Sequence, residues 1–141
     1  MRYRYYMHYA EGSLMSPIQV QLIMNALKNG PVPFFIKPIT GFITDKVSAE
    51  FLDQELRTHF RFLEDQLASA LEEGPFLCDS RLTAADIHMS IPVLAALNLC
   101  IIPRKEYPRL DAYAAEIQNS QGYRRAVEKV VNVEGKPFVP I

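Results

Sequence analysis

The chain has 141 residues, 49% of them hydrophobic, with 15 Lys and Arg against 16 Asp and Glu for a formal net charge of −1. That length suits one domain with a substantial core, and the charge balance offers no electrostatic ground for nucleic-acid binding, which needs clustered Lys and Arg. The longest apolar run, residues 89–102, is broken by Ser90, Pro92 and Asn98 and falls short of the roughly 18 residues that suggest a bilayer span, so no membrane span is expected.

At the start of the chain, Tyr3, Met7, Ala10 and Leu14 recur on one helical face and Tyr6, Tyr9 and Ser13 on another. No Ser, Thr, Asp or Asn precedes this pattern as a cap, so the helix reads as cut into, and the chain as derived from something longer. Arg2 and Arg4 are followed by tyrosines, His8 and Glu11 rather than by an apolar signal core, which makes a cytoplasmic location the expectation. Pro17 lacks an N–H and disfavours helical geometry at Ser16, so an interruption or kink is predicted there. Ile18, Leu22, Ile23, Ala26 and Leu27 then resume an apolar stripe, and Asn29-Gly30 is a stop signal. Pro31, Pro33 and Pro38 stand among Phe34, Phe35 and Ile36; such a hydrophobic stretch predicts an ordered loop packed by its own apolar side chains, not a flexible linker.

From about Thr44 to Leu71, the stripe Val47, Phe51, Leu52, Leu56, Phe60, Leu63, Leu67 and Leu71 predicts a long amphipathic helix. Gly74-Pro75 marks a turn, and Phe76-Leu77 lead to a helix-start device. Thr83 can cap the first turn, Asp86 three residues on can reach back to the N–H of Thr83, and Leu82 can staple onto Ile87. These four residues are read as structural capping of a helix from Ala84 to about Leu97, within which Pro92 predicts a bend. Tyr107-Pro108 starts another helix, carrying Leu110, Tyr113, Ala114 and Ile117. A last one from about Gln121 carries Tyr123, Ala126, Val127, Val130 and Val131, and residues 136–141, with Pro137 and Pro140, read as an irregular tail. No strand pattern is convincing. The expectation is an all-α helical bundle of about five main helices, a single domain over 1–141.

Candidate chemistry is sparse. His8, His59 and His88 fall on separate predicted helices, and Cys78 and Cys100 have no Cys or His at ligand spacing, so no metal site is expected. Cys100 reads as a small core residue and Cys78 as oxidisable if exposed. No serine has a nucleophile-elbow context, and there is neither a P-loop nor a dinucleotide fingerprint; no catalytic residue is assigned. The first helix offers His8, Glu11, Gly12 and Met15 at helical intervals, with Gly12 small enough for close approach of a ligand or another helix. These four face a ligand or belong to an interhelical seam. Tyr3, Tyr5, Tyr6 and Tyr9, where they point outward, suit packing against another domain or subunit.

The string Phe76-Leu77-x-x-x-x-Leu82-Thr83-x-Ala85-Asp86-Ile87, after a long amphipathic helix and before Tyr107-Pro108-x-Leu110, resembles the C-terminal helical domain of glutathione transferases. Tyr5-Tyr6-Met7-His8-Tyr9-Ala10-Glu11-Gly12-Ser13-Leu14-Met15 is similar to a fungal and bacterial subgroup, and the resemblance covers essentially the whole chain. It implies a preceding thioredoxin-like domain, absent here, that holds the glutathione site and the catalytic residue. It further implies that this chain, not catalytic alone, supplies a wall for a hydrophobic small-molecule electrophile, with His8, Glu11, Gly12 and Met15 as substrate-binding residues. A homodimer through the first two helices is implied as well. No cofactor belongs to this chain, glutathione being a co-substrate only if the N-terminal domain is joined. The rival expectation is a stand-alone protein-interaction module related to the helical domains of translation-complex proteins.

Overall fold

Two long helical rods, each carried through a π turn, frame the molecule in a computed structural model that describes residues 1–31, 33–70 and 74–136. In the first rod α1 (Arg2–Tyr9) continues through the π turn Ala10–Met15 into α2 (Ser16–Asn29); in the second α3 (Lys37–Val47) continues through Ser48–Leu52 into α4 (Asp53–Ala70). Then come α5 (Ala84–Asn98), a 3-10 turn Arg104–Glu106, α6 (Pro108–Asn119) and α7 (Gln121–Glu134). The described residues thus form five rods and no strand, as the all-α expectation has it. Leu71, Pro137 and Pro140, which the sequence placed in a stripe and a tail, lie outside the described residues.

Pro17 does not interrupt the first rod. Ser16 keeps helical angles (φ −58°, ψ −57°) and Pro17 sits in the first turn of α2. The π turn before it, with its wider i to i+5 bonding, changes the hydrogen-bond register where the N–H is missing, so Pro17 falls at a helix start, where it is tolerated. A similar shift in the second rod alters the predicted stripe. Leu52 and Leu56 are buried but Phe51, inside the π turn, is 68% exposed. The expected self-packed loop over residues 31–40 is also corrected: α3 begins at Lys37 with Pro38 in its first turn, the favoured place for proline, and Phe34 and Phe35 stand exposed.

The core lies around α5, which packs against α1, α2 and α6. Leu14, Ile18, Phe60, Leu63, Leu77, Met89, Val93, Leu97, Leu110 and Tyr113 are buried in it. Burying apolar side chains from five elements in one cluster is the main stabilising term. The sequence put Cys100 in this core; it is exposed, because the chain leaves α5 through a left-handed Cys100 (φ 55°) that turns the thiol outward. At the last helix Ser120 accepts from the Tyr123 N–H at 3.3 Å, and left-handed Gly135 (φ 64°) donates to the Val131 carbonyl at 2.9 Å.

Candidate functional site

The capping constellation predicted from Leu82, Thr83, Asp86 and Ile87 forms in its polar part. The Thr83–Asp86 capping box is in place, with the Thr83 N–H and hydroxyl donating to Asp86 Oδ2 at 3.0 and 2.6 Å. Asp86 is fully buried, and its other oxygen accepts from the Leu77 N–H at 3.0 Å and the Tyr113 hydroxyl at 3.1 Å. Four donors therefore saturate one carboxylate, and this site is structural. The hydrophobic half is corrected: Leu82 packs on the core, but Ile87 is 57% exposed. Ala85, Asp86 and Met89 set the inward face of α5, which leaves Ile87 on the opposite side.

The four residues predicted to line one face of the first helix divide into two pairs. A π turn takes more residues per turn than an α turn, so i,i+4 partners fall into line while i,i+3 partners separate. Glu11 and Met15 accordingly line a groove of about 390 Å³ with Ala10, Gln19, His88, Ile91 and Pro92. His8 and Gly12 line a shallower one of about 700 Å³ with Met1, Arg4, Tyr5, Tyr9 and Ser13. Nothing lies within 4 Å of a Cβ added at Gly12, so close approach of another described element is not what a glycine serves there.

The first groove is walled by Met15, Ile91 and Pro92 and given polarity by Glu11, Gln19 and His88, with His88 Nε2 3.6 Å from Glu11 Oε1. Its α5 wall, His88, Ile91 and Pro92, escaped the sequence reading. The available signal was on α5 itself: Ile87 and Ile91 form an i,i+4 pair outside the stripe that enters the core, and both are exposed. Such a groove can accept an apolar body and orient it with few polar contacts.

The tyrosines of α1 are committed elsewhere. The Tyr6 hydroxyl donates to Gln66 Oε1 at 3.2 Å and the Tyr9 hydroxyl lies 2.6 Å from His59 Nδ1. Burial pushes the Tyr6 phenol up to about 12 and raises Tyr9 as well. Only Tyr3 and Tyr5 turn outward. Cys78 is half-buried, and burial, then the Asp86 charge, raises its thiol, which disfavours the nucleophilic thiolate. No group of His, Cys, Asp and Glu able to hold a metal occurs among the described residues.

A family model described as glutathione S-transferase, C-terminal domain, matches residues 27–120, that is, from the end of α2 through α6. Glutathione S-transferase 1 of Saccharomyces cerevisiae is 29% identical to this chain over 125 residues, covering 89% of the chain and 52% of that protein. Glutathione S-transferase 3 of Schizosaccharomyces pombe is 25% identical over 129 residues, covering 92% and 51%. The chain spans about half the length of these relatives. No solved structure matches it.

Proposed function

This chain belongs to the glutathione S-transferase C-terminal domain family, and on that premise we propose that it supplies the wall against which an apolar electrophile meets glutathione in a cytoplasmic transferase. The observation that carries this reading is the groove between the first rod and α5, with Met15, Ile91 and Pro92 as apolar surface and Glu11, Gln19 and His88 as orienting groups. Glutathione is the co-substrate, held by a thioredoxin-like domain joined to this one. Conjugation needs a thiol made acidic by a donated hydrogen bond and nearby positive charge. The buried phenols of Tyr6, Tyr9 and Tyr113 are engaged with Gln66, His59 and Asp86 instead, which supports a non-catalytic role alone. Both named relatives are transferases, so a stand-alone interaction module is not favoured.

Two measurements test the reading together. In fluorescence titration of the chain with an unreactive dinitrobenzene, Ile91→Glu should weaken binding on the order of tenfold. Ile91 is 58% exposed, so circular dichroism should be unchanged; unaltered affinity would reject the groove. Mixed with glutathione and a reactive electrophile, the chain alone should leave the uncatalysed rate unchanged. A rate that grows with added protein would place catalysis in this chain.

The same reading includes a homodimer through the first two helices, α1 and α2. Its support is apolar surface on those helices: Tyr3 and Tyr5 of α1 and Val20, Ile23 and Leu27 of α2 are all exposed, and a two-fold contact would cover such a patch twice. Sedimentation velocity should give a dimer for the parent and a monomer for Ile23→Asp/Leu27→Asp. A monomeric parent, or a variant that still pairs, would count against the first two helices as the interface.

A further inference from the structure

The hairpin made by α2 and α3 is built inside out. Its less exposed positions are polar and bond within their own helices: Gln21 donates to Asn25 at 3.0 Å on α2, and on α3 the Thr44 hydroxyl donates to the carbonyls of Thr40 and Gly41 at 2.9 and 3.0 Å. Thr44 is the one buried residue of α3, while Ile39, Phe42 and Ile43 face out. This reverses the polarity that water imposes on a surface helix. At the tip, Phe34 is 84% and Phe35 64% exposed, their rings edge to face at 5.6 Å.

Charge is arranged to match. Residues 12–44 contain no Asp or Glu, and their only charged side chains are Lys28 and Lys37. Lys28 is paired with Asp45 at 2.5 Å, whereas Lys37 has no ion pair among the described residues. Several backbone donors beside the tip are missing or already paired. Pro31, Pro33 and Pro38 have no N–H, the N–H groups of Ile36 and Lys37 both donate to the Pro33 carbonyl at 2.9 and 3.3 Å, and the Thr40 hydroxyl answers the Lys37 carbonyl at 3.1 Å. Each donor that is missing or paired lowers the cost of leaving water.

We propose that this tip is a lipid anchor: Phe34, Phe35 and Ile36 enter the interfacial layer of an anionic bilayer, and Lys37 stays at the level of the phosphates. At the tip itself lipid fits better than a second copy of the chain, because a two-fold axis passing there would bring Lys37 toward its own like charge with no acid from residues 12–44 to answer it. The insertion is shallow, since no helix among the described residues is long and apolar enough to cross a membrane. It is independent of the electrophile groove, which lies on the first rod and α5.

The test is flotation of the chain with vesicles of phosphatidylcholine containing phosphatidylserine. The parent should float with them, less so in high salt. Phe34→Ser/Phe35→Ser should lower the bound fraction about tenfold or more, and Lys37→Glu should lower it about fivefold on these vesicles but little on pure phosphatidylcholine. All three residues are exposed, so circular dichroism should be unaltered. A parent that stays in solution, or a double variant that floats as well as the parent, would overturn the proposal. So would sedimentation, without vesicles, in which the double variant turns a dimer into a monomer, since a second copy would then cover the tip.

Discussion

Asp86→Ala should lower unfolding free energy by about 3–5 kcal/mol and the melting temperature by roughly 10–20 °C. The loss has three parts. The N-terminus of α5 loses the Asp86 half of its capping box, worth about 1 kcal/mol. The Leu77 N–H and the Tyr113 hydroxyl are then left buried without their acceptor, at about 1–2 kcal/mol each. Asp86→Asn should do little better, because its amide nitrogen must face two donors whichever way it is turned. Tyr113→Phe should cost only about 1–2 kcal/mol, since three donors still hold the carboxylate. Thr83→Ala, which removes the cap hydroxyl and with it one of the four donors to Asp86, should cost about 1–2 kcal/mol. Thermal melting followed by circular dichroism measures the series; an Asp86→Ala midpoint within about 2 °C of the parent would mean that the carboxylate does not hold these elements together.

The comparison of Thr83 with Asp86 indicates what a sequence can disclose. Thr83 and Asp86 are three residues apart, so the capping box is a local pattern and was legible. The bonds from Asp86 to Leu77 and Tyr113 span nine and 27 residues and leave no local trace. Helix positions were legible where the apolar period held, as from Leu56 to Leu67. The period misleads where a π turn changes it: Phe51 continues the apolar stripe yet is exposed, and His8, Glu11, Gly12 and Met15 fall at the spacing of one face yet divide between two grooves. A π turn needs no distinctive residue type, only a local change in bonding register, so an α-periodic reading carries straight through it. The α5 wall of the groove was hidden for another reason. On a helix apolar nearly all round, a sequence does not say which apolar side chains the core leaves uncovered.

Glu64→Ala should cost about 2–4 kcal/mol, although Glu64 sits on α4 and its work is done at the start of α6. Pro108 opens α6 without an N–H, and the next two donors are taken by Glu64: Arg109 N–H to Oε1 and Leu110 N–H to Oε2, each at 2.9 Å. The carboxylate also stands at the positive end of the helix dipole. The Leu110 bond is buried and the Arg109 bond is partly so, so most of the penalty belongs to Leu110. The Arg109 guanidinium, half-exposed and 3.6 Å from Glu64, adds little, and Arg109→Ala should cost less than about 1 kcal/mol. Amide hydrogen exchange separates this cap from general loosening: in Glu64→Ala the Leu110 amide should exchange faster while the Leu77 and Thr83 amides keep their protection. Glu64 from α4 and Asp86 from α5, through Tyr113, fasten the same helix. Once either is lost, α6 is already partly released. The double variant Glu64→Ala/Asp86→Ala should therefore lose about 1 kcal/mol less than the sum of the two single losses. Strict additivity in a denaturant titration would mean that the two carboxylates act on separate parts of the fold, and that α6 is not the element they hold in common.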